Sequence, residues 1–168
     1  MIYDFQFKNG SGFTIIEIVV VLGIVTVVAA IVISNFISVI QSSDLNAVVQ
    51  ELASIIELSQ SKTLASESSS QFGIYFDTGT SPHQYILFKG NSFASRDTPY
   101  DQGFSLPSTI EFSLISLGGG NELVFTKLTG FPAQSGSVSL RLKADTSQVK
   151  TIFISNTGAI SFSAITPP

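Results

Sequence analysis

Few side chains in this sequence can do chemistry, and the most conspicuous is Glu17, a carboxylate inside the run GFTIIEIVVVLGIVTVVAAIVI from Gly12 to Ile33. A carboxylate among apolar residues is costly unless it meets a cation, so charge pairing is the chemistry it suggests. His83 is the only histidine and there is no cysteine. One imidazole beside Pro82, with Asp77 nearby, makes no transition-metal site, and a solvent-exposed turn histidine is expected. Asp97 and Asp101 share the stretch RDTPYDQ. Calcium takes about six to eight oxygens, so two carboxylates there predict a plain polar loop. Gly118-Gly119-Gly120 lacks the Gly-Lys-Ser/Thr that completes a phosphate loop and reads as a flexible turn. No Gly-x-Ser-x-Gly elbow occurs and no Ser, His, Asp set can be assembled. No catalytic residue, metal or cofactor is expected, and the chain does not read as an enzyme.

Composition narrows the field further. The 168 residues suit one folded unit plus a membrane segment. Eight Lys and Arg stand against twelve Asp and Glu, giving net charge −4 with no block of like charge. That argues against a surface built on counterion release. Arg141 and Lys143 are expected to share one face of a strand, with Lys150 across from them. Three cations in an acidic head make a weak patch, so DNA is not an expected partner. The absence of cysteine excludes disulfides and thiolate metal sites. Mean hydropathy is +0.41, and the excess lies in the N-terminal third, because the chain after about Ser70 is rich in Ser, Thr and Gly.

Glu17 must be positioned by the element that contains it. From Phe13 to Ile33 it is the only charge, and at 1.5 Å of rise per residue the run extends roughly 30 Å, the thickness of a bilayer's hydrocarbon core. A buried core helix is one alternative. A conventional signal peptide is another, with Met1 to Thr14 as its charged region, Ile15 to about Val27 as its apolar region and Val28-Ala29-Ala30 as its cleavage site. Against it stand Lys8, offset by Asp4, and Glu17, whose burial costs about 2.5 to 3.5 kcal/mol. Beyond the run, Phe36, Ile37, Val39 and Ile40 continue the apolar pattern. Leu45, Val48, Val49, Leu52, Ile55, Ile56 and Leu64 then recur at spacings of three and four around Gln50, Glu51, Glu57 and Lys62. One helix from about Phe13 to about Ala65 is predicted, ended by SESSSQ at Ser66 to Gln71. Strand patterns follow at Phe72 to Asp77, Gln84 to Lys89, Thr109 to Leu114, Glu122 to Lys127 and Ser137 to Lys143. A terminal hairpin of TIFIS and AISFS turns at SNTG.

Gly12-Phe13-Thr14-Ile15-Ile16-Glu17 and the apolar helix after it resemble the processing signal of type IV pilins and of the pseudopilins of type II secretion and competence systems. The resemblance implies cleavage by prepilin peptidase between Gly12 and Phe13, N-methylation of Phe13, and pairing of Glu17 with the Phe13 ammonium of a neighbouring subunit during assembly. It implies an α+β pilin fold with one long N-terminal helix, transmembrane in its first half and amphipathic in its second, packed on a C-terminal antiparallel sheet. The chain then divides into a leader over 1–12, a transmembrane half over 13–35, an amphipathic half over 36–67 and a β-rich head over 72–168. The implied partners are other pilin or pseudopilin subunits, the peptidase, an inner-membrane assembly platform and membrane lipid. The implied location is the inner membrane, single-pass, with the head periplasmic or extracellular.

The segment LVFTKLTGFPAQSGSVSLRL with TIFISNTGAISF is similar to the C-terminal pattern of H-class minor pseudopilins and related minor pilins. Gly130 and Gly158 fall at its turn glycines, and residues from Pro82 to Ser108 lie outside the likeness. The function implied is that of a minor pseudopilin or minor pilin. A major pilin, a secreted β domain released from a conventional signal peptide, and an uncleaved surface anchor remain as alternatives.

Overall fold

The computed structural model describes residues 12–65, 70–118 and 120–163, excluding the side chains of 32–39. The expected leader up to residue 11, most of the Ser-rich stretch and the last residues from 164 lie outside that description. The chain divides into two units, Met1–Val39 and Ile40–Pro168.

Helix α1 spans Ile15–Leu64. Thr14 starts it: its carbonyl accepts from the Ile18 N–H at 3.2 Å, and its hydroxyl accepts from the Glu17 N–H at 3.3 Å. Thr14 thus serves as the N-cap, its hydroxyl satisfying one of the unpaired N–H groups of the first turn. Within the second unit, Leu45, Val48, Val49, Leu52, Ala53, Ile56, Ser59 and Thr63 are buried, a single stripe at helical spacing. Its last two members are small and polar. The Thr63 hydroxyl donates to the Ser59 carbonyl at 2.9 Å and accepts the Phe72 N–H at 3.0 Å, which ties the end of α1 to the first strand.

Eight strands follow: β1 Phe72–Asp77, β2 Gln84–Lys89, β3 Gln102–Ser105, β4 Ile110–Leu117, β5 Glu122–Val124, β6 Gly136–Leu142, β7 Val149–Ile154 and β8 Ile160–Phe162. They form two four-stranded sheets in the orders β3-β2-β1-β5 and β4-β6-β7-β8, and the strand pairs within each are antiparallel. One apolar core unites the α1 stripe with Ile74, Phe76, Tyr85 and Leu87 of the first sheet and Val138, Leu140, Ile152 and Ile154 of the second.

These findings correct the expected pilin fold of one long helix, half of it transmembrane, packed on one sheet. The β region is two sheets, because the chain changes sheets after β3, after β4 and again after β5. Such changes depend on non-local pairing, which alternation within a strand does not reveal. The membrane half is corrected too. Among the described residues no helix is long and apolar enough to cross a membrane. A single-pass anchor therefore has no support from the described helix.

Candidate functional site

Gly12, Phe13 and Glu17 all belong to the first unit. Gly12 is exposed, with open space where a β-carbon would stand, and Phe13 is 79% exposed. The peptide between them is sterically accessible. Phe13, two residues ahead of α1, and Glu17, Ile18, Val21 and Leu22 of the helix bound an open groove of about 260 Å³. Glu17 thus sits one turn from Phe13, at the end of the helix where the dipole favours an anion. The cap is supplied by the Thr14 hydroxyl through the Glu17 backbone N–H, a local pairing that the sequence reading overlooked. The signal was present as Thr14-x-x-Glu17.

Around this face, Ile15, Ile16, Ile18, Val20, Leu22, Ile24, Val27, Val28 and Ile31 are exposed on all sides of the helix. Thr26 does not interrupt the apolar surface, because its hydroxyl donates back to the Leu22 and Gly23 carbonyls at 2.7 and 2.9 Å. Contiguous apolar exposure on this scale marks a surface that another molecule covers.

In the second unit the other candidates separate. His83, expected to be an exposed turn residue, is half-buried; its Nδ1 accepts the Phe112 N–H at 3.1 Å, and its ring lies 6.0 Å from that of Phe112. It joins the start of β2 to the outer edge of β4. Asp97 pairs with Lys89 at 3.3 Å and Asp101 with Arg96 at 2.7 Å, so each carboxylate of that loop already faces a cation. No cluster of three or more His, Asp or Glu able to hold a metal occurs among the described residues. The loop is fixed by a stack that sequence reasoning missed. The Phe93 ring lies 3.9 Å from Tyr75 and 3.8 Å from the Arg96 guanidinium, and its N–H donates to Glu122 at 2.7 Å.

Arg141 binds Glu111 at 2.6 Å, and Lys143 lies past the end of β6. Lys150 pairs in register with Leu140, whereas Arg141 pairs with Val149. Directly opposed residues share a face and successive ones alternate, so Arg141 and Lys150 point to opposite faces. The three expected cations form no patch. Gly130 and Gly158 do adopt positive φ, 65° and 84°. Asp77 is held below the usual carboxylate range by the Gln84 side chain and the Gly79 N–H. Burial, reinforced by the Glu51 carboxylate, pushes the Tyr85 phenol above its ordinary value.

No family model, curated protein or solved structure matches the chain.

Proposed function

We propose that this chain is a structural subunit of a pilin-like filament, a minor pseudopilin or minor pilin, matured by a prepilin peptidase and assembled through the N-terminal part of α1. One observation carries the reading: the helix surface from Phe13 to Ile31 is apolar and exposed on every side, with Glu17 its only charge. A surface of that kind needs cover. A filament supplies it from the same segment of neighbouring copies, and the ammonium created at Phe13 supplies the cation that a covered Glu17 requires. The exposed Gly12–Phe13 peptide supports processing at that bond. The reading includes a precursor at the inner membrane whose head lies on the periplasmic or extracellular side; this part rests on the residue pattern of the N-terminal segment.

The test is the intact mass and N-terminal sequence of the protein from cells with and without the peptidase. The expected mature chain begins at N-methylated Phe13 and appears only when the enzyme is present. A chain beginning near Ile31 identifies a conventional secreted domain instead, and one that keeps Met1 identifies an uncleaved precursor; either result overturns the proposal.

A further inference from the structure

The loop after β5 presents a strained apolar residue to solvent. Leu128 has φ of 71°, the one positive value at a non-glycine residue among those described. For a residue with a β-carbon this conformation is strained. Leu128 is nevertheless 90% exposed, and Phe131 close by is 48% exposed. The loop is held firmly in this shape. The Thr126 N–H donates to the Phe131 carbonyl at 2.8 Å and the Gly130 N–H to the Thr126 carbonyl at 3.0 Å. The Thr126 and Thr129 hydroxyls bond at 2.7 Å, and Gln60 of α1 donates to the Gly130 carbonyl at 2.9 Å. Folding gains little from a fixed, strained and solvated leucine, whereas binding gains from its preorganisation.

A socket lies at the other end of the same ladder. In the β1–β5 pairing, Gly73 faces Val124 and Tyr75 faces Glu122, so Thr126 to Phe131 follow one end while Asn121 and Thr78 mark the other, roughly 17 Å away along the strand. There Thr78, Asn121 and the β4 residues Phe112 to Ile115 bound a cleft of about 220 Å³. Leu114, one of its lining residues, is 60% exposed. Truncating a buried leucine leaves a cavity on the order of 150 Å³, so the cleft has room for a leucine side chain. Strand addition is hindered here: on β4 the Phe112 N–H is taken by His83 and the Leu117 carbonyl by Gly120. The two ends also differ in charge, since Lys127 precedes Leu128 and the carboxylate of Asp77 precedes Thr78.

We infer that Leu128 of one copy inserts into the cleft beside β4 of a second copy, with Phe131 against Leu114 and Lys127 toward Asp77. Knob and socket are different surfaces at opposite ends of one ladder, so the contact is heterologous and can repeat from copy to copy without closing into a symmetric pair. It deepens the filament reading and rests on it for what brings the copies together, but it is read out separately from processing.

The chain has no cysteine, so introduced thiols report without background. Full-length Leu128→Cys and Leu114→Cys proteins, prepared separately, are mixed and treated with a short thiol-to-thiol linker; Leu128→Cys mixed with Thr146→Cys is the control for random collision. All three positions are exposed, and circular dichroism identical to the parent checks that each variant folds. The expected result is a mixed dimer several-fold above the control, with neither the Leu128→Cys nor the Leu114→Cys protein coupling to itself above the control. A mixed yield equal to the control overturns the contact, and so does self-coupling of Leu128→Cys as strong as the mixed product, which would mean a symmetric interface. Failure here with a normal Phe13 terminus removes the head contact and leaves the filament reading standing.

Discussion

His83 illustrates how far residue types alone mislead. A lone histidine beside proline has the signature of a solvated turn, and no local pattern signals that its Nδ1 accepts a backbone N–H from β4 at 3.1 Å. Phe112 is 6% exposed, so its N–H has little access to water as a substitute partner. His83→Phe keeps an aromatic ring against Phe112 and removes the acceptor. The expected loss is about 1 kcal/mol, within the range for a donor left unsatisfied in a partly buried site, read as a lower urea midpoint at unchanged slope. His83→Asn, which restores an acceptor, should recover part of it. Glu17 is the opposite case: its position is plain from the sequence, and so is the Thr14-x-x-Glu17 spacing that lets the Thr14 hydroxyl accept the Glu17 N–H.

At the scale of elements, strands with strong alternation were legible and their assembly was not. FGIYFD and QYILFK coincide with β1 and β2, because aromatic and branched residues there face a core. QGFS, the β3 edge strand, went unread; its four residues include a glycine and no buried side chain, so they carry no periodic signal. The division into two sheets depends on partners distant in sequence. Gly136 shows one such dependence. It faces Leu117 across the β4–β6 pair, and a β-carbon there would overlap the Ser116 carbonyl oxygen. Because that neighbour is backbone, only a shift of the strand can relieve the overlap. Gly136→Ala should therefore cost about 2–4 kcal/mol, toward the severe end for a single substitution, and the urea midpoint measures it. Ser137→Ala, one residue along β6, should cost far less.

For the whole molecule, the division between Met1–Val39 and Ile40–Pro168 separates the surface proposed for assembly from the core that stabilises the head. Among the described residues every member of the buried core lies in the second unit, from Leu45 to Ile154, and Glu17 lies in the first. Removing the carboxylate should leave head stability untouched. In a filament, however, the variant would leave the ammonium at Phe13 of a neighbouring copy covered and unpaired, a loss of about 3–5 kcal/mol when one member of a buried pair is deleted. That corresponds to a more than hundredfold fall in subunit incorporation. Glu17→Ala is therefore expected to abolish recovery of the protein in sheared filaments while its thermal unfolding midpoint stays at the parental value. Glu17→Asp, which keeps the charge on a shorter stem, should restore some incorporation. A purely local capping role gives a different pattern: capping contributes about 1 kcal/mol and does not need an ionised group. Glu17→Gln keeps a side chain competent for the capping box and removes the charge, so incorporation by Glu17→Gln at the parental level would assign Glu17 to the helix start alone.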